Sequence, residues 1–167
     1  MKSSRLVSTI FLLITTLGTA LAQQVSKHIL SSEELTRVVP AEYFFRGQKA
    51  PVQLRNAVGS QLADGRVTLA ALVDASGYST AIQQKYQGLL INESKLNIVG
   101  ADLVPGQYGF GFVGNKFVVC DVSAAELLSV ASRTDQAMQR AVPLKLVEDG
   151  AGYRLYVGKN WVEIRSE

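Results

Sequence analysis

The chain has 167 residues and carries 17 Lys and Arg against 14 Asp and Glu, with one His and one Cys. The basic residues are scattered singly, whereas nucleic-acid binding needs a clustered positive surface, so we expect no nucleic-acid partner. One Cys permits no internal disulfide, and zinc sites of the usual His and Cys type lack ligands. We expect neither a metal nor any other cofactor.

The first 22 residues have the features of a signal peptide. Lys2 and Arg5 supply a positive start, residues 6–18 form an apolar core, and Ala20-Leu21-Ala22 matches the cleavage pattern. The apolar core is too short to cross a bilayer, which needs about 20 residues. We therefore expect cleavage after Ala22 and export of residues 23–167 to the periplasm or out of the cell, without a transmembrane segment. An uncleaved anchor is the alternative.

Residues 23–50 are predicted to form an N-terminal segment with one short helix, ahead of a single β-rich domain over residues 51–167. Ser31 can cap this helix, Glu34 three positions later completes a capping box, and Pro40 ends it. An aromatic cluster follows, Ala41-Glu42-Tyr43-Phe44-Phe45, which a small domain is expected to bury.

The first strands of the β-rich domain are separated by Asp64-Gly65. This pair favours a two-residue hairpin loop because both positions tolerate positive φ. A short helix over residues 81–87 comes later, capped by Ser79-Thr80 and ended by Gly88 in the left-handed conformation. The strand between the hairpin and this helix has one apolar face, made by Val67, Leu69, Ala71 and Val73.

The rest of the chain alternates short strands with turns. Strands at 89–91 and 95–99 are joined by residues 92–94, and Pro105-Gly106 makes another turn. Ser123-Ala124-Ala125-Glu126 repeats the capping-box pattern and predicts a helical turn. The remaining predicted elements are strands at 108–113 and 117–122, a short helix around 135–140, and strands at 143–148, 153–157 and 161–165.

These elements predict a mainly β protein. Short strands at spacings of about 8 to 12 residues are typical of an antiparallel β-sandwich or a partly closed barrel. Two or three short helices accompany the strands. Parallel βαβ units need longer helices between strands than this chain contains.

Two hairpins share nearly the same turn sequence, VGNKF at 113–117 and VGKNW at 157–161. Gly and Asn favour the left-handed conformations that such turns need, and the aromatic residue that follows can pack across the strand pair. We interpret the repeat as shared hairpin chemistry rather than as a ligand-binding device. Trp161 in the second copy remains a candidate partner-binding residue.

An aromatic ladder precedes the first of these turns. Tyr108, Phe110 and Phe112 lie on one face of their strand, while Gly109 and Gly111 leave the other face bare. Such rings are usually core residues, but strand glycines often mark the close approach of another backbone or of a ligand. Both interpretations stay open, and all five residues are candidates for binding a ligand or a partner.

Reactive chemistry is sparse along the chain. Cys120 shares an apolar strand face with its neighbours two positions away, which favours a buried small residue over an intermolecular bridge or a reactive thiol. Ser79 and Lys85 are six positions apart, a spacing that does not place them on one helix face. Paired carboxylates need only meet in space, and the candidates, in turns or at strand ends, are Asp64, Asp74, Asp102 and Asp121.

Residues 89–122 resemble a pattern found in exported bacterial β-rich proteins of unknown function. In that pattern a strand leads to a Leu-x-Pro/Ala-Gly-x-Tyr turn and a further hairpin. The matching residues are Leu103, Pro105, Gly106 and Tyr108. The resemblance implies a β-sandwich-like module in a bacterial envelope and carries over no catalytic residue.

Three functions remain open on the sequence alone. The first is a non-catalytic exported domain that binds an envelope protein or a surface component. The second is a carrier of a small apolar ligand, which requires an enclosed pocket beside the aromatic ladder. The third is a hydrolase that uses clustered carboxylates or the pair Ser79 and Lys85. We expect the first, so the protein is not predicted to be an enzyme.

Overall fold

The structure is a computed structural model that describes residues 27–167. The predicted signal peptide lies outside the described residues. Among the helices that are described, none is both long and apolar enough to cross a membrane. The described helices are α1 Ser32–Val38 and α2 Thr80–Lys85.

The rest of the described chain forms antiparallel strands joined by turns and loops. In chain order the strands are β1 His28–Ile29, β2 Glu42–Phe45, β3 Gln48–Gln61, β4 Val67–Val73, β5 Gly88–Asn92, β6 Leu96–Ile98, β7 Ala101–Leu103, β8 Gly106–Val113, β9 Lys116–Cys120, β10 Glu126–Ala131, β11 Arg133–Thr134, β12 Val142–Asp149, β13 Gly152–Gly158 and β14 Asn160–Ser166. An eight-stranded sheet has the order β1-β3-β4-β5-β8-β9-β10, with β2 paired to β3. A six-stranded sheet has the order β12-β13-β14-β6-β7, with β11 paired to β14. The predicted β-sandwich is confirmed; the two sheets are separate and do not form a closed barrel.

The main core lies between the two sheets. Alternate side chains of each strand point into this space, as the two-residue period of a strand requires. Its buried members come from both sheets and include Leu90, Phe110, Phe117 and Val119 from the eight-stranded sheet and Leu96, Ile98, Leu155 and Val162 from the six-stranded sheet.

Most of the opposite face of the eight-stranded sheet is also covered, so the centre of this sheet is buried on both sides. The apolar face predicted for β4 points this way and packs under α1, β2 and α2. The long strand β3 makes this possible, because its register with β4 shifts between Val52 and Ala57 and its first part pairs with β2 instead. The second cluster contains Tyr43, Phe45, Val73, Tyr78, Tyr86, Leu89, Val118 and Cys120.

The N-terminal segment is continuous with the β-rich domain, because one strand contains residues of both. The predicted boundary between residues 50 and 51 falls inside β3. The capping box of α1 is confirmed, because the Ser31 hydroxyl accepts from the Glu34 amide and the Glu34 carboxylate accepts from the Ser31 amide. The helix ends at Val38, two residues before Pro40.

The predicted two-residue loop at Asp64-Gly65 is wrong. The connection runs over residues 62–66, where the Gly65 amide donates to the Leu62 carbonyl and the Leu62 amide to the Arg66 carbonyl. Only Gly65 has positive φ, at 91°. Leu62 and Arg66 therefore flank a loop of three residues, 63–65. A turn followed by a glycine in the left-handed conformation is the usual form of such a three-residue hairpin loop.

Two other turn predictions are also wrong. Gly88 does not end α2 but lies in β5, where a Cβ atom would stand 2.5 Å from the Phe110 ring. The predicted helical turn at residues 123–126 is a loop closed by Asp121, whose carboxylate accepts from the Ser123 and Ala125 amides. A carboxylate of this kind offers the backbone an alternative to helix formation. The predicted helix around 135–140 is an irregular segment.

The strands predicted at 89–91 and 95–99 exist but do not pair with each other. The first is β5 of the eight-stranded sheet, and the second is β6 of the six-stranded sheet. The chain therefore crosses between the sheets over residues 93–95. It returns between β7 and β8, at the predicted Pro105-Gly106 turn. Both turns act as corners of the sandwich rather than as hairpin loops.

Candidate functional site

The aromatic ladder lies in the core between the sheets. Tyr108, Phe110 and Phe112 are all buried. The Phe117 ring lies 5.5 Å from that of Phe110 and 5.0 Å from that of Phe112, and the Tyr108 hydroxyl donates to the Val104 carbonyl at 2.9 Å. These three side chains therefore act as core residues.

The bare face beside the ladder is filled by the protein itself. A Cβ atom at Gly109 would lie 2.8 Å from the Phe45 ring and 2.9 Å from the Tyr86 ring, which stack on each other at 3.9 Å. A Cβ atom at Gly111 would lie 2.6 Å from the Lys85 carbonyl oxygen at the end of α2. Because the two glycines have no side chains, the rings of Phe45 and Tyr86, which we call the outer aromatic layer, and the end of α2 pack directly against the strand. They occupy the space that a ligand would need.

Trp161 lies on the outer face of the six-stranded sheet, away from the ladder. The Arg154 and Arg133 guanidinium groups stand 4.5 Å and 5.4 Å from its ring, and the Tyr156 ring lies 6.1 Å away. Arg154 is held by the Asp149 carboxylate at 2.7 Å. The cavity beside Trp161 has a volume of about 30 Å³, which suits a single water molecule.

The four candidate carboxylates are each bound by groups of their own turn or hairpin. Their principal donors, which also hold the pKa of each carboxyl below its usual range, are Arg66 for Asp64, Ser76 for Asp74, Lys95 for Asp102 and Ser123 for Asp121.

The other reactive groups that the sequence suggested are also bound or buried. Lys85, considered with Ser79, lies 3.4 Å from the Glu126 carboxylate. Residues 27–167 contain no group of three or more His, Cys, Asp or Glu side chains that could hold a metal ion. Burial raises the pKa of the Cys120 thiol.

Among residues 27–167, the most exposed large aromatic side chain is one that the sequence predicted to be buried. Phe44 keeps 58% of its surface accessible, and Val122 and Val38 keep 52% and 43%. These side chains border an open groove of about 490 Å³, which we call the Phe44 groove. Its lining residues are Val38, Pro40, Glu42, Tyr43, Phe44, Ile91, Gln107 and Val122.

The exposure of Phe44 follows from the alternation of β2. Tyr43 and Phe45 point toward the eight-stranded sheet and are buried, so Glu42 and Phe44 point outward. The register is fixed by the turn after Phe45, because Arg46 and Gly47 both have positive φ, at 54° and 77°. Two such residues form the type of two-residue loop whose twist matches a hairpin.

Two contacts hold this hairpin on the sheet. The Tyr78 hydroxyl reaches the Phe45 and Gln48 carbonyls at 2.9 Å and 3.0 Å. The Arg46 amide donates to the Val122 carbonyl at 2.8 Å. Phe44 is therefore presented on a fixed strand rather than on a loose loop.

The outer edge of β2 is open at Phe44. In a two-residue hairpin the flanking residues, Phe45 and Gln48, exchange both backbone hydrogen bonds, and bonded pairs then alternate along the ladder. Pro51, which has no amide hydrogen, stands opposite Glu42, as expected for a pair without hydrogen bonds. The amide and carbonyl of Phe44 consequently point away from β3, toward the groove.

The groove also carries polar groups. The Tyr43 hydroxyl is buried and has no hydrogen-bond partner among residues 27–167. Burial, with smaller contributions from Asp121 and Tyr108, raises the pKa of Tyr43 to about 12, so the hydroxyl keeps its proton. Gln107 exposes its carboxamide on the floor, where its backbone is paired with Ile91 of β5.

Sequence reasoning missed this groove. One signal was available: Phe44 shares the outward-facing positions of β2 with Glu42, so an alternating strand must expose the ring if it buries its neighbours. No protein-family model, curated protein or solved structure matches the chain.

Proposed function

We propose that this protein is an exported, non-catalytic binding module that holds another polypeptide of the cell envelope in the Phe44 groove. The observation that carries the proposal is the exposed Phe44 ring, which borders an open groove together with the exposed side chains of Val38 and Val122. Aromatic side chains of this kind are enriched at protein interfaces and often carry much of the binding energy.

The rigidity of the groove supports the same function. Phe44 lies on a strand whose turn and neighbouring backbone are fixed by Tyr78 and Val122. A preordered surface loses less conformational entropy when a partner binds. Beneath it, Tyr43 and Phe45 anchor the strand in the aromatic layer.

Export is supported by the first 22 residues, with Lys2 and Arg5 before an apolar core and a small-x-small pattern at Ala20 and Ala22. The intact mass of the protein recovered from its host tests this part of the proposal. The mass of residues 23–167 is expected. The mass of the full chain, or retention of the protein in the cytoplasm, would contradict export.

Site-specific photo-crosslinking tests the binding surface. A photoreactive phenylalanine analogue replaces Phe44 in one variant and Lys145, an exposed residue of the six-stranded sheet, in a control. Illumination of host cells is expected to give a discrete protein adduct from position 44 and none from position 145. Equal adducts from both positions, or none from position 44, would remove the proposed site.

A further inference from the structure

We infer that the occupant of the Phe44 groove is an extended polypeptide segment that adds as a strand to the outer edge of β2. This inference rests on the proposed function and specifies how the partner is held. It predicts recognition through the partner's backbone, with side chains adding selectivity.

The open edge of β2 provides the backbone groups. The amide and carbonyl of Phe44 point into the groove because β3 pairs with the residues on either side, Tyr43 and Phe45. An unpaired edge of this kind is a template for another strand. The Gln107 carboxamide adds a further polar group along the same groove.

The shape of the groove favours a single strand. The outer faces of β5 and β8 form the floor through Ile91 and Gln107, while Val38 and Val122 border the groove. An added strand would place alternate side chains onto this floor and the others into solvent. We therefore expect an apolar side chain in the partner at the position facing Ile91.

Charge limits which side chains the partner can place beside β2. The outward-facing positions along β2 and its turn carry Glu42, Phe44 and Arg46, so an acidic and a basic residue flank the ring. Cross-strand pairs of opposite charge are favourable, and like charges opposite each other are not. Glu42 already binds Lys49 at 2.8 Å and Arg46 donates to the Ser123 carbonyl at 3.2 Å, so the partner is expected only to avoid an acidic residue beside Glu42 and a basic residue beside Arg46.

A second copy of the chain does not fit this edge. If two β2 strands paired antiparallel about a twofold axis, the axis would be perpendicular to the paired strands. The buried faces of both strands would then point to the same side, so the bodies of both molecules would lie on that side. The floor of the groove, formed by Ile91 and Gln107 of the eight-stranded sheet, already fills that side. A lone extended segment needs only the open strand position above the floor.

Backbone methylation of a peptide ligand tests strand addition without altering the protein. A display library of random 12-residue peptides is selected on the folded protein, and the tightest binder is synthesised. Each amide of that peptide is then methylated in turn. We expect affinity to fall at least about 10-fold at alternate positions and to change little at the positions between them, because only every second amide faces β2.

A matched pair of protein variants tests the same edge. Phe44→Leu keeps an apolar side chain and the outward amide, whereas Phe44→Pro removes that amide without removing a hydrogen bond between β2 and β3. The leucine variant is expected to bind the selected peptide more than about 10-fold better than the proline variant. Circular dichroism verifies that both variants are folded.

The outcomes separate this inference from the proposed function. If methylation has no two-residue period while Phe44→Ala abolishes binding, strand addition is wrong and the groove remains the binding surface. If Phe44→Ala binds the selected peptide as well as the wild type does, both the inference and the proposed surface fail. A library that yields no binder overturns the inference, and the photo-crosslink then decides the proposed function alone.

Discussion

The glycines of β8 show how single residues define the layers of this molecule. Gly109 and Gly111 face the outer aromatic layer and the end of α2, and a Cβ atom at either position would lie within 3 Å of protein atoms. The aromatic residues that alternate with them, Tyr108, Phe110 and Phe112, face the opposite way, into the space between the sheets. One face of β8 therefore has no side chains at these positions, so the outer aromatic layer and the end of α2 pack directly on its backbone. The other face carries large rings that fill the core between the sheets.

Gly109→Ala is expected to destabilise the fold by about 1–3 kcal/mol, since the added methyl group must displace the stacked rings of Phe45 and Tyr86. Gly77→Ala is the matched control, because Gly77 has ordinary φ and its nearest neighbour would be the Gln48 side chain at 3.7 Å. The control is expected to change stability by less than about 1 kcal/mol. Urea unfolding measures both, and equal effects would contradict the close packing assigned to Gly109.

Sequence patterns correctly identified the face on which each β8 residue lies but left open what lies against that face. The alternation of Tyr108, Phe110 and Phe112 with two glycines is a local property, and the structure follows it. The close neighbours of Gly109 come from β2 and α2, which are distant in sequence. The sequence around Gly109 therefore could not show whether a ligand or these two elements of the protein would pack against the glycine.

Helix α1 begins with side-chain interactions that the sequence pattern correctly predicts. Its capping box joins Ser31 and Glu34, and the Glu34 carboxylate also lies 2.9 Å from His28 Nε2. The backbone hydrogen bond from Ser31, followed by the hydrogen bond from His28, lowers the pKa of Glu34 to about 2. The helix in turn buries Leu35 against Leu30 and Leu69.

The lowered pKa of Glu34 predicts a pH dependence of stability. Its pKa in the folded protein is about 2, below the ordinary value of 4.5, so the ionised group stabilises the fold above about pH 4.5. That contribution is lost as the pH falls from about 4.5 to about 2. Glu34→Gln is expected to flatten the wild-type curve of unfolding free energy in this window.

Glu33→Gln is the control for this measurement, because Glu33 is exposed and contacts Arg37 on the surface of the helix. Unfolding by urea at a series of pH values gives the three curves. The wild type and Glu33→Gln are expected to lose stability in parallel, while Glu34→Gln loses less. A Glu34→Gln curve parallel to that of the wild type would contradict the capping role assigned to the carboxylate.

Other elements show why local patterns are incomplete guides. The pattern at residues 123–126 is the same as that of the α1 cap, yet the preceding Asp121 binds the Ser123 and Ala125 amides and forms a loop. Ala124 there takes a φ of 70°, which no right-handed helix contains. At Gly88 the packing of the Phe110 ring, rather than a helix end, requires the absence of a side chain.

At the scale of the whole molecule, the three exposed apolar side chains of the candidate site come from separate segments that meet above the floor formed by β5 and β8. Val38 comes from the end of α1, Phe44 from β2 and Val122 from the turn between β9 and β10. They meet because β3 extends beyond the end of β4 and pairs there with β2, which lies over the sheet. The strands and the sandwich could be predicted from periodicity, but this change of pairing partner has no signal in the sequence.

The same architecture separates the residues that the sequence grouped as binding candidates. The aromatic ladder lies inside the sandwich, and Trp161 lies on the outer face of the six-stranded sheet beside Arg133 and Arg154. The Phe44 groove lies on the outer layer of the other sheet. A partner bound at the groove therefore leaves Trp161 free, and variants at the two places are expected to act independently.

Native mass spectrometry of the protein, purified gently from the envelope fraction of its host, tests the central claim most directly. We predict a stoichiometric polypeptide bound to the wild-type chain and lost from Phe44→Ala, with Trp161→Ala as a control that retains it. A bound mass of a few hundred daltons that survives Phe44→Ala would contradict the account and favour a small-molecule carrier. A polypeptide retained by Phe44→Ala would place the binding surface elsewhere on the molecule.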